Sequence, residues 1–184
     1  MNRRHFLVAS TALVAVGGCA QLKNAFASVT PAQIVTDVSG TVSGLAKGYA
    51  LAVAAAPGLI PAGPAGTITA DLALAQAVVK GLVTGLPATN GAGIVQQIEG
   101  YVNDVINVAA APPLNAIIPS PFNLAVAAAA VVLPTFEAFV NQYLPSAPTV
   151  AAPMVSARAK VKAAAPQVVT YDQAIAVLKF YAAK

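Results

Sequence analysis

The chain has 184 residues, 58% of them hydrophobic and only 9% charged, with no Trp. That length suits one domain with a real core. A charged share so far below the usual quarter leaves little material for acid–base or ionic chemistry. The formal charge of +4 is unevenly spread. Residues 30–145 set Lys47 and Lys80 against Asp37, Asp71, Glu99, Asp104 and Glu137, a net of −3. Residues 146–184 set Arg158, Lys160, Lys162, Lys179 and Lys184 against Asp172, a net of +4. The body has no basic stripe with interleaved aromatics, so the pI near 9.4 does not imply a nucleic-acid partner.

The first residues form a basic start, Met1-Asn2-Arg3-Arg4, followed by an apolar run over Val8–Val16 and then Gly17-Gly18-Cys19. A short basic start before an apolar stretch too short to span a bilayer predicts a signal peptide over 1–18. Arg3-Arg4-His5-Phe6-Leu7 resembles the twin-arginine export signal, in which paired arginines precede a Phe-Leu pair. A general secretory signal with two arginines is the alternative reading. Val16-Gly17-Gly18-Cys19 resembles the lipobox of bacterial lipoproteins. That resemblance implies a diacylglyceryl group on the Cys19 sulfur and cleavage that leaves Cys19 first. Acyl chains at that position would give stable anchoring, with 19–29 as a tether. Ala20 after the cysteine resembles an outer-membrane sorting signal, which implies a lipid-anchored, periplasm-facing place in the cell envelope. Ala25-Phe26-Ala27 offers a competing cleavage site, but it stands far beyond the apolar run.

The body, 30–145, predicts an all-α, antiparallel four-helix bundle. Thr30-Pro31-Ala32-Gln33 has the form of a capping box with Pro at the first helical position. Ile34, Val38, Val42, Leu45, Tyr49 and Val53 then fall on one helical face, running to about residue 56. The Pro/Gly-rich 57–66 reads as a loop. A second helix is expected over 69–86 with Leu72, Val78, Val79, Leu82 and Leu86 inward. After a turn at 90–93 comes a third, over 93–111, with Ile94, Ile98, Tyr101, Val105 and Val108 inward. Ser120-Pro121 is expected to open a fourth that reaches about 144 and kinks at Pro134. Ile34–Gly40 aligns with Ile94–Gly100, and Ala54–Leu59 with Ala109–Leu114, as two copies of one hairpin would. Gly40, Gly44 and Gly48, and likewise Gly81 and Gly85, recur every four residues. That spacing forms a smooth helix face onto which another backbone can pack.

The tail changes character. Pro145, Pro148, Pro153 and Pro166 alternate with Ala, Val and Ser, which predicts a basic linker over 146–169. Arg158, Lys160 and Lys162 make it a candidate contact for a polyanion such as anionic lipid or cell-wall polymer. Thr170-Tyr171-Asp172-Gln173 is a second capping box that opens a last helix over 170–184. Its Ile175, Leu178 and Tyr181 or Ala182 are expected to dock on the bundle.

Little chemistry is available. The only cysteine is Cys19 and the only histidine, His5, lies in the signal. No set of His and Cys exists to hold zinc, haem or an iron–sulfur cluster, so no metal or other cofactor is expected. A Ser–His or Cys–His pair is excluded after Cys19 for the same reason. Glu99 and Asp104 stand five apart and share no helix face well. Asp37, Asp71 and Glu137 are expected on solvated faces. The reading is a non-enzymatic lipoprotein of the cell envelope, a structural or interaction module with an envelope-protein or cell-wall partner. Two others stay open: a binder of an apolar ligand between the bundle helices, and a membrane-active, holin-like protein.

Overall fold

A computed structural model describes residues 30–82, 91–143 and 170–184. They form six helices: α1 (Pro31–Ala55), α2 (Ala62–Lys80), α3 (Gly91–Ala110), the single turn α4 (Leu114–Ile117), α5 (Ser120–Tyr143) and α6 (Tyr171–Ala182). No strand occurs among the described residues, and the fold is an all-α helical bundle. α1 packs on α2 and α5, and α3 packs on α2 and α5, which closes a ring of four long helices. α6 packs along both α1 and α5 and so adds a fifth helix over their junction. From residue 31 on, the described residues form one compact unit.

α5 is the core helix. Phe122, Leu133 and Phe136 are buried, and so is every residue of the alanine-rich run 125–130. Neighbours on three sides explain why its apolar residues run almost all round the helix. Alanine lets those neighbours approach closely, where dispersion contacts are densest. Ser120–Gln142 is long and apolar enough to cross a membrane, but it is mostly buried inside the bundle. The helix runs through Pro134; the missing N–H there costs it one intrahelical hydrogen bond.

Several boundaries differ from the sequence expectation. α2 begins at Ala62, so part of the expected loop 57–66 is helical. Pro64 is its third residue, within the first turn, where backbone N–H groups have no intrahelical partner and a proline gives up nothing. The first helical bond runs from Ala65 N to Pro61 O at 2.9 Å. The same helix ends at Lys80, and Gly81 follows it as C-cap, its N–H bonded to Val78 O at 3.0 Å. The expected Leu86 lies outside the described residues. α3 begins at Gly91, inside the stretch read as a turn.

Burial also corrects the expected faces. On α1, Ile34, Val38, Val42 and Leu45 are fully buried, but Val53 is exposed and Ala52 faces inward instead. On α3, Ile98 and Val105 are buried, whereas Ile94, Tyr101 and Val108 are half-exposed. The buried positions there are Val95, Ile98, Glu99, Val102, Asn103 and Ile106, with Val105 and the last alanines. This set repeats Ile34, Asp37, Val38, Thr41, Val42 and Leu45 of α1 at an offset of 61 residues. The matching letters align at 60 for Ile34–Gly40 and at 55 for Ala54–Leu59. The offset of 60 also pairs buried residues: Val38 with Ile98, Val42 with Val102 and Leu45 with Val105.

Candidate functional site

The most specific polar arrangement among the described residues lies where α6 crosses α1. Thr170 caps α6: its side chain accepts from Gln173 N at 3.3 Å, while Thr170 N donates to Gln173 Oε1 at 3.3 Å. This reciprocal pair fixes where α6 starts and hence where Tyr171 stands. The Tyr171 hydroxyl donates to Asp37 Oδ2 across the seam. Asp37, expected on a solvated face, is instead 3% exposed. A carboxylate enters a helix interface only with a donor in place, and Tyr171, far off in sequence, supplies it. Burial raises the Tyr171 hydroxyl pKa far above its ordinary value, and the Asp37 hydrogen bond and the charges of Asp37 and Asp172 add to the rise. Tyr171 is therefore a permanent donor at neutral pH.

Seven residues along α1 from Asp37, the backbones meet. A Cβ added at Gly44 would stand 2.5 Å from Leu178 O and 2.8 Å from Leu178 Cα. Only glycine allows α6 this close. Leu178 is fully buried beside it, with Ala174 and Tyr181. Gly40, one turn back, has ordinary contact at 4.0 Å with the Lys179 stem. Gly48 serves a different neighbour: its Cβ would meet Ala125 Cβ at 2.8 Å and Pro121 O at 3.3 Å on α5. The three spaced glycines of α1 thus face two helices. Gly81 takes no part in helix packing, being the residue after α2, and Gly85 lies outside the described residues.

The remaining carboxylates do not converge on a reactive centre. Glu99 is 7% exposed and accepts from Asn103 Nδ2 at 3.3 Å along α3. Asp104 is exposed on the same helix, so the two are separated by burial as well as spacing. Desolvation raises the Asp71 carboxyl pKa, and the nearby charge of Asp104 raises it further. Glu137 is half-buried on α5. No group of three or more potential metal ligands occurs among the described residues.

The positions that carry the targeting expectation lie outside the described residues: Arg3, Arg4, Phe6, Leu7 and Cys19. So do Arg158, Lys160 and Lys162. The Asp37–Tyr171 pair was missed in the sequence because nothing local links the two residues; the capping box at Thr170 and the register of Leu178 were the available signals. No family model, curated protein or solved structure matches the chain.

Proposed function

We propose that the chain is a lipid-anchored module of the bacterial cell envelope, held to the membrane through Cys19 and acting by structure and interaction instead of by catalysis. The observation that carries this reading is the order of features at the front: a basic start with Arg3-Arg4, an apolar run over 8–16, and Gly-Gly before the chain's only cysteine. Thioether-linked and N-linked acyl chains at one residue anchor a protein where a single chain would not. The arrangement farther along is compatible with such a role. An all-α bundle with a fifth helix locked at Asp37 and Gly44 is a rigid body to hang from a tether. The basic residues of 146–169 are free of catalytic demands and suit a polyanionic envelope partner.

Intact mass of the protein from its native membrane fraction tests the anchor. The expected species starts at Cys19 and carries acyl chains, and a Cys19→Ala variant lacks them. A species starting at Ser28 without lipid would end the lipoprotein reading and leave a free exported protein. Export from a strain without the twin-arginine machinery would separately reassign the route to the general secretory pathway.

A further inference from the structure

Helix α6 is attached differently from the other long helices. α1, α2, α3 and α5 close their ring on one another, and α6 lies outside it, on α1 and α5. Of its twelve residues only Ala174, Leu178 and Tyr181 are buried. Asp172, Gln173, Ala176, Lys179 and Phe180 are exposed, Phe180 at 58%. Hydrophobic hold scales with the apolar area removed from water. α6 is therefore held by far less than α5, whose Phe122, Val132, Leu133 and Phe136 are all buried.

The terms against docking gather at the same seam. Ordering twelve residues costs backbone entropy at each. A helix that short is marginal by itself in water, so α6 orders as it docks and melts as it leaves. Docking also strips water from the Asp37 carboxylate, which takes the Tyr171 hydroxyl as donor. Release returns that carboxylate to water. At Gly44 the fit is backbone against glycine, and a small displacement forfeits its close contacts.

The chain does not hold α6 in place either. Tyr171 lies at Asp37 and Leu178 at Gly44, so α6 runs parallel to α1. The 26 residues of 144–169 separate it from α5. A connection of that length can reach about 90 Å when extended, so α6 can leave without pulling on α5.

We infer that α6 is a detachable clasp, opening and closing over the α1–α5 seam as one unit while the ring of four helices stays folded. Closed, it covers Asp37 and the Gly44 face of α1. Open, it presents that face without loss of the bundle. The body thus changes its surface without unfolding. The inference does not rest on acylation of Cys19, which intact mass reads separately.

Thiol labelling reads the opening. Ala174→Cys puts a thiol under α6, and Ala75→Cys puts one in the ring, on α2; both positions are fully buried. Each is made in the full chain with Cys19→Ala, so that the new thiol is the only one. With excess disulfide reagent, position 174 should react at least about a hundredfold faster than position 75, yet more than about tenfold slower than a thiol in the unfolded chain. Ile98→Ala separates the two units, because it lies on α3, which packs on α2 and α5. It should speed labelling at 75 by about thirtyfold or more and leave labelling at 174 unchanged. Ile98→Val replaces it, with about a threefold effect at 75, should the larger change prevent folding as seen by circular dichroism. Hydrogen exchange of the unsubstituted chain repeats the reading without a new thiol. α6 amides should exchange with little dependence on denaturant, and α3 amides with a steep one, since opening α6 exposes little surface. Equal labelling at 174 and 75 would overturn the inference. So would equal acceleration of both by the change at Ile98, or a denaturant dependence as steep in α6 as in α3. Labelling at 174 as fast as in the unfolded chain would overturn it too, since α6 would then not close.

Discussion

Helix α1 carries Gly44 and Gly48 against other chain segments, whereas Gly100, in the middle of α3, has no heavy atom of the described residues, apart from its own stretch of helix, within 4 Å of where a Cβ would stand. All three cost their helices conformational entropy, about 1 kcal/mol each against alanine. On α1 that cost is offset by contact: α6 at Gly44 and α5 at Gly48 come closer than any side chain would permit. On α3 nothing in the described structure offsets it. The comparison teaches that a helical glycine is informative only together with what lies across from it. The same spacing that looks like a packing groove in one helix can face open space in another.

The sharpest way to break this comparison is Gly44→Ala. The new methyl would meet a backbone carbonyl, which cannot turn aside as a flexible side chain can, so α6 must shift or leave. The expected loss is about 3 kcal/mol, at the upper end for overpacking. Hydrogen exchange should show α6 amides losing protection while α3 keeps its own. An α6 as protected as before would mean that Leu178 is not held where the geometry puts it.

Tyr171→Phe should cost somewhat less, about 1.5–3 kcal/mol, because it leaves the buried Asp37 carboxylate without its donor. The same variant tests a pH effect. The folded Tyr171 pKa is raised, so above the unfolded value near 10 the unfolded chain binds fewer protons than the native one. Stability is full below that pH and falls as pH rises beyond it. Burial raises Tyr181 in the same direction. Chemical denaturation between neutral and strongly alkaline pH should show a decline in the parent chain that Tyr171→Phe makes shallower.

Gly48→Ala comes next, at about 1–2 kcal/mol, since its clash is chiefly with a methyl. Ala125→Gly in the same chain should recover part of the loss, and a double-mutant cycle should read a favourable coupling between the two sites. The smallest change has the opposite sign. Gly100→Ala fills empty space on a helix and should stabilise by about 0.4–1 kcal/mol. A destabilised Gly100→Ala would reveal a neighbour that the described residues do not include.

Much of the fold was legible before any coordinates. The run from Ile34 to Leu45 is a clean helical face, the Thr170–Gln173 capping box marks the start of α6, and Ser120-Pro121 marks the start of α5. What misled was punctuation. Pro and Gly at 57–66 signalled a loop, but prolines in a first helical turn cost nothing, and α2 begins among them. The face of α3 was misjudged because that helix is covered on more than one side and its apolar residues do not form one narrow stripe.

By itself the sequence determined the helical class, most helix starts, the scarcity of metal-binding side chains, and the basic, apolar, glycine–cysteine order at the front that motivates an envelope address. These follow from local chemistry: periodicity, capping and residue type act over a few positions. Only the tertiary structure decided which acids are buried and which glycines admit a backbone. Those properties belong to pairs of residues far apart in the chain, such as Asp37 with Tyr171 and Gly44 with Leu178. No local pattern can encode a contact whose other half lies on another helix.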